Sequence, residues 1–242
     1  QEKDGYLNSF FSLYEPEKKF TNLKSRHELY CAGHLLEAAL EHLKLNGISR
    51  FFDAMERYID HISETFGIEP GKKRGYPGHQ EIELALLKAY EQTGKEKFLN
   101  LADYFLSERG SQPHYYDEEE RQRKSKEKIV YFSDFPSEIR DYVSSNMPDF
   151  EKRNYTYCQA HQLPVNQKTA VGHSVRALYM YTAMTDLARL KKDPKMLQAC
   201  KSLWRNIVDR RMYVHGGVGS SHIGEQFTFD YDLPNDIAYA ET

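Results

Sequence analysis

The chain has 242 residues, 40% of them hydrophobic and 29% charged, with a formal net charge of −3. That length can bury a real core as one large domain or two small ones, and the near-neutral charge leaves no basic footprint for nucleic acid. No apolar run approaches the ~18 residues of a membrane span. The N-terminal QEKDGYLNSFF is neither basic nor followed by an apolar stretch, so no signal peptide is read there.

Residues 1–26 read as an irregular lead-in with Tyr6, Phe10, Phe11, Tyr14 and Pro16. From His27 the pattern turns helical: Leu29, Leu35, Leu36, Ala39, Leu40 and Leu43 recur mostly three and four residues apart, and Gly47 supplies a stop. A second helix is predicted from Ser49 to Phe66, with Phe52, Met55, Ile59 and Ile62 on one face. The pair then repeats, from Glu81 to Gln92 and from Glu96 to Arg109, with breaks at Thr93-Gly94 and Gly110. A third pair is expected from Thr169 to Leu190 and, opened by the cap Asp193-Pro194, on to Met212. No alternating strand run stands out.

Three dipeptides, Gly33-His34, Gly78-His79 and Gly172-His173, fall near the starts of the first helices of these hairpins. Two-helix units repeating in this way build either a solenoid or a closed α/α toroid. The unequal spacings and the recurring histidines at one helix end favour the toroid. The fold class expected is all-α, a partial (α/α)6 barrel of helical hairpins forming one domain over 1–242. A charged insertion interrupts it around 111–168. Within it, Asp117 to Lys128 is nearly pure charge and reads as a solvated surface segment, and Ser137 is a candidate cap for a short helix through Val143.

Chemistry concentrates at the C-terminal end, YVHGGVGSSHIGEQFTFDYDLPNDIAYAET from Tyr213. Its glycines permit positive φ and close backbone approach, as an active-site loop needs. The GGVG run lacks the preceding strand and following helix of a phosphate cradle. Glu225 and Glu241 are the candidate acid, base or metal-ligand carboxylates, and a carboxylate pair is what glycoside hydrolysis commonly uses. His27, Cys31 and His34 share one helical face. They form either a metal face or a buried cysteine beside pocket histidines, and HELYC departs from HExxH at Cys31. His79 and His173 are candidate partners for a substrate hydroxyl, although each alone also suits a cap or core position. Cys31, Cys158 and Cys200 make no CxxC pair and no disulfide framework, which fits a reducing compartment without fixing one.

Four ordered strings carry a family resemblance: HELYCAGHLLEAAL from His27, GYPGHQEIELALLKAY from Gly75, QKTAVGHSVRALYMY from Gln167 and GGVGSSHIGEQFTFDYDLPNDIAYAET from Gly216. Together they resemble the glycoside hydrolase family 127 β-L-arabinofuranosidases over nearly the whole chain, the charged insertion least. The resemblance implies an (α/α)6 barrel that removes L-arabinofuranose from β-linked glycosides with retention. It also implies a cysteine thiolate nucleophile held on zinc by three cysteines and a glutamate, the latter the family's proposed acid/base.

By motif, Glu241 in YAET matches that zinc-bound glutamate and Glu225 in HIGE matches a pocket glutamate contacting the sugar. His173, His79 and the histidines of HELYCAGH, His27 ahead of His34, match sugar-binding positions. In the family a cysteine follows YAET at once and a vicinal pair lies further on. None of the chain's three cysteines stands at those positions, so the remaining zinc ligands and the nucleophile are expected past Thr242, in a longer protein. A carbohydrate is the partner implied, and nothing in the sequence sets the oligomeric state. The rivals are another α/α-toroid carbohydrate enzyme, of the unsaturated glucuronyl hydrolase or epimerase type, and a non-catalytic sugar-binding module.

Overall fold

The structure, a computed structural model, describes residues 1–122, 137 and 155–240. Among them every regular element is a helix, joined only by isolated β-bridges. The helices are α1 (Ser9–Tyr14), α2 (Glu28–Asn46), α3 (Arg50–Thr65), α4 (Ile82–Thr93), α5 (Glu96–Glu108), α6 (Tyr115–Gln122), α7 (Ser174–Lys191) and α8 (Pro194–Arg210).

Local sequence explains most of the boundaries. Gly47 and Gly94 close α2 and α4 in the left-handed region, with φ of 72° and 68°, where glycine carries no Cβ penalty. Ser49 accepts the Phe52 amide at the start of α3. Asp193 accepts the amides of Lys195 and Met196 at the start of α8, with Pro194 in the first turn.

Three hairpins result, α2–α3, α4–α5 and α7–α8, and their first helices form a continuous row in which α4 packs between α2 and α7. A helix flanked on both sides must be apolar over most of its girth. α4 accordingly buries Ile82, Leu84, Ala85, Leu86, Leu87 and Ala89. The second helices bury one stripe each, such as Phe52, Met55, Ile59 and Ile62 of α3 and Met196, Leu203 and Ile207 of α8. Each fully buried Leu, Ile or Phe contributes about 1.5–3 kcal/mol. This two-layer arc is part of an (α/α)6 barrel, as the hairpin pattern implied. The inner row is tight where α2 crosses the start of α4. A Cβ on Gly33 would lie 2.8 Å from the Ile82 Cα and 1.5 Å from Oε2 of Glu81.

Some expectations need correction. The lead-in is not wholly irregular, since it contains α1 and a 3-10 turn at Pro16–Lys18. It is fastened by the buried Glu28, whose carboxylate takes the Tyr6 hydroxyl and the Phe20 amide. Burial raises the Glu28 pKa to about 7, against the pull of those two donors. The helix expected from Thr169 starts at Ser174. Gly172, with φ of 72°, is pressed against the Thr156 carbonyl, and the Ala170 amide is taken by Asn206. α8 stops at Arg210, because Met212 turns to bridge Val218. The beginning of the charged run is not a solvated segment: it lies in α6, where Glu119 is buried and its carboxylate accepts the amides of Leu23 and Lys24. The rest of that run, and the helix expected from Ser137 to Val143 (Ser137 itself excepted), lie outside the described residues.

Candidate functional site

The inner helices begin at the same end of the arc, and there the histidines gather. His27 immediately precedes α2, His173 immediately precedes α7, and His79 stands three residues ahead of Ile82, the first residue of α4. Ring centroids of His27 and His79 are 5.5 Å apart, and those of His79 and His173 5.4 Å. Tyr30, one turn into α2, lies 4.3 Å from His79 and 4.5 Å from His34. The three Gly-His dipeptides are therefore not equivalent. Gly33-His34 lies inside α2, and His27 occupies the end position, because Glu28 anchors the helix start to the lead-in.

The segment carrying His79 is held by backbone approach and buried side chains. The Gly78 amide donates to the Leu23 carbonyl, and a Cβ on Gly78 would sit 2.1 Å from the Lys24 carbonyl oxygen. Arg176, at His173+3 on α7, donates to the Gly78 carbonyl at 2.9 Å and to Cys158 Sγ at 3.2 Å. Its guanidinium lies 4.6 Å from the Tyr157 ring centre. The fully buried Arg109 donates to the carbonyls of Pro77 and Cys158 and to Glu83. Gln80 donates to the Cys158 carbonyl and to Gln159, which in turn donates to the carbonyls of Val171 and His173. The starts of α4 and α7 are thus knitted through the 157–159 segment.

Burial and the Arg176 charge both oppose protonation of these rings. Burial is the larger effect in each case, and Arg176 follows. The His79 pKa falls to about 3, that of His173 to about 4, and that of His27 is lowered as well. At neutral pH all three are neutral imidazoles, each with one donor and one acceptor nitrogen. Nδ1 of His79 is 2.8 Å from the Gln80 carbonyl oxygen, so it carries the proton and Nε2 is left as acceptor.

The loop after α8 brings in the acidic partner. Glu225 sits at φ of 53°, and its carbonyl accepts the Ser174 amide and hydroxyl at 2.9 and 3.1 Å, capping α7. Gln226 bridges His173, and the Phe227 amide donates to the Gly172 carbonyl. Docked in this way, Oε2 of Glu225 stands 2.8 Å from Nε2 of His173. Gly219, at φ of 108°, is pressed against the Tyr239 carbonyl, and the Tyr239 amide donates to the Gly219 carbonyl. The glycine loop is therefore tied to the 237–240 strip. Glu241 lies outside the described residues.

Neither reading of the His27, Cys31 and His34 face holds: among the described residues the three form no metal group, and Cys31 is exposed rather than buried. Among the described residues the donors that converge are His34, Glu37 and Glu81, whose ligand atoms lie within 4.8 Å of one another. Glu81 is buried at the start of α4, and its pKa rises to about 10, through burial first and then the neighbouring Glu37 and Glu83 carboxylates. Among the described residues, none of the three cysteines joins such a group.

Sequence reasoning missed Tyr30, Arg176 and Glu81. The i, i+3 spacing of His173 and Arg176 on one helix was a usable signal. Nothing in the sequence showed that Glu81 would face Gly33.

An arc of paired helices with a polar cluster at one end of its inner row defines an α/α-barrel protein with a site built on helix starts. The family model described as β-L-arabinofuranosidase, GH127 catalytic domain, matches residues 1–242, and the chain belongs to that family. It is 37% identical over 246 aligned residues to a non-reducing end β-L-arabinofuranosidase of Bifidobacterium longum subsp. longum. Among solved structures it is similar to a GH127 β-L-arabinofuranosidase from Geobacillus stearothermophilus T6, with 50% identity and a TM-score of 0.88 over 99% of the chain. It is also similar to a second GH127 β-arabinofuranosidase, with 33% identity and a TM-score of 0.77 over 99% of the chain. The chain spans 35% of the length of the Bifidobacterium protein, 35% of the Geobacillus chain and 33% of the second.

Proposed function

We propose that the protein to which this chain belongs is a retaining β-L-arabinofuranosidase that removes terminal L-arabinofuranose from β-linked glycans or glycoconjugates. The observation that carries this reading is the row His27, His79 and His173, rings 5.4–5.5 Å apart on three adjacent helix starts, with Glu225 beside His173. Neutral imidazoles suit sugar hydroxyls, which both donate and accept, and they hold their state across the pH range of an ordinary cell. The family membership supports the substrate class.

In this reading His79 Nε2 accepts a hydroxyl proton, and the pair His173–Glu225 fixes the ring from the α7 side. Tyr30 walls the pocket between His79 and His34. Burial, with Arg176 second, keeps the imidazoles uncharged, and Arg176 holds the Gly78 carbonyl in place, so that the row is set before the sugar arrives. Such preorganisation aligns the scissile bond with the reacting groups.

Zinc is part of the proposal only through Glu241 and the cysteines that the resemblance puts after Thr242. The chain's own cysteines do not fit such a centre: Cys158 is buried beside Arg176, Cys200 is buried on α8, and among the described residues neither they nor Cys31 converge with other ligands. The test is proton NMR of the intact protein acting on a β-L-arabinofuranoside. Release of β-L-arabinofuranose as first product is expected, with no turnover of the α-anomer. Inversion at the anomeric carbon, or no hydrolysis of any L-arabinofuranoside, would overturn the assignment.

A further inference from the structure

We propose that His34, Glu37 and Glu81 form a divalent-cation site, separate from the row of histidines that faces the sugar and independent of the arabinofuranosidase reading. Nδ1 of His34 lies 3.6 Å from Oε1 of Glu81 and 3.8 Å from Oε2 of Glu37. Nitrogen and oxygen donors about 2.1 Å from one ion are about 3.4 Å apart at tetrahedral angles. The two pairs that His34 makes thus need to close by only a few tenths of an ångström, and all three ligand atoms lie within 4.8 Å of one another.

Glu81 points to a ligand by its own state. Its side chain has no exposed surface, and among the described residues no N–H or hydroxyl group donates to either carboxylate oxygen, the Glu37 carboxyl being its one hydrogen-bond partner. A buried carboxylate without donors demands a cation, either a proton or a metal. Gly33 is the device that makes room for it, since any Cβ there would occupy the place of Oε2. Lys88 pairs with Oε1 of Glu37, leaving Oε2 turned toward His34. A bound cation takes the place of the proton that Glu81 holds at neutral pH, and with both carboxylates then ionised and Lys88 charged the ligand cluster carries one net negative charge. His34, its side chain 42% exposed, gives an ion a way in. One imidazole and two carboxylates, with water completing the shell, suit Mn²⁺ or Zn²⁺ and disfavour softer ions.

Mn²⁺ separates this site from any thiolate centre, because it favours nitrogen and oxygen donors over sulfur. The intact protein, stripped with a chelator, would be titrated with Mn²⁺ while electron paramagnetic resonance follows the free ion. The expected result is one Mn²⁺ whose affinity falls at least about tenfold in His34→Ala and about 100-fold in Glu81→Gln. His34 is partly exposed, so its variant keeps the fold and stays informative if Glu81→Gln does not. Equal affinity in the wild type and His34→Ala, or no bound Mn²⁺ at all, would overturn the proposal. The second outcome would make Glu37 and Glu81 a proton-sharing pair. Neither outcome depends on whether the protein hydrolyses an arabinofuranoside.

Discussion

Replacing Gly33 with alanine sets two well-known effects against each other. In an isolated helix the change favours folding by about 1 kcal/mol, because glycine loses more backbone freedom than alanine. In α2 the new methyl group meets the Ile82 Cα at 2.8 Å and the Glu81 carboxylate at 1.5 Å. A carboxylate end can swing aside, but a Cα cannot move without its helix, so α2 and α4 must separate by somewhat under an ångström. Overpacking of this kind costs about 1–3 kcal/mol. A gap of 0.5–1 Å further forfeits roughly a quarter to a half of each dispersion contact along the seam. The sum is a net loss of about 2 kcal/mol, opposite in sign to helix propensity. Urea denaturation of the intact protein gives the stability term. Titration with L-arabinose gives the second readout, because parting α2 from α4 also parts His27 from His79. The control is Gly94→Ala, at φ of 68° with nothing within 4 Å of the new methyl. It should lose about 1 kcal/mol of stability and leave sugar binding alone. A Gly33→Ala protein as stable as the parent would refute the close-packed seam.

Arg109→Met should destabilise the protein by about 3–5 kcal/mol, seen as a lower urea midpoint, because it strands the buried Glu83 carboxylate. Asp193→Ala should lose about 1 kcal/mol by freeing the Lys195 and Met196 amides, with sugar binding unchanged. Unfolded histidines titrate near 6.5, whereas His173 and His79 do so at about 4 and about 3 in the fold. The unfolded chain therefore binds more protons below pH 6.5. Stability is complete above that value and declines as pH falls through 4 toward 3. Imidazole NMR should show both rings neutral at pH 5.5, and titration near 6.5 would contradict their burial beside Arg176. Glu225→Gln should lower kcat/KM about 10- to 100-fold on a β-L-arabinofuranoside, the range of a charged hydrogen bond.

Helix period and caps made the hairpins readable: Asp193-Pro194, Ser49 and the two closing glycines work within a few residues of themselves. The start of α7 was not readable, because the Gly172 carbonyl accepts the Phe227 amide and the His173 amide donates to the Tyr157 carbonyl, contacts that exist only in the folded chain. The histidines were legible as candidates, but their order was not. His27 rather than His34 stands at the end of α2 because Glu28 is pinned by Tyr6 and Phe20, far back in the lead-in. Arg176 shares a helical face with His173, but its partner Gly78 and the Gly33 that Glu81 meets lie far away in sequence, and long-range contacts of that sort leave no local pattern. The same limit applies to the charged run, in whose first turn Glu119 is a buried carboxylate holding residues 23 and 24.

The most direct test of the central claim is a crystal structure of the intact protein soaked with L-arabinose. The account predicts the sugar ring at the starts of α2, α4 and α7, with its hydroxyls within hydrogen-bond distance of His27, His79, His173 and Glu225. Sugar bound elsewhere, with those four side chains contacting none of its oxygens, would contradict it.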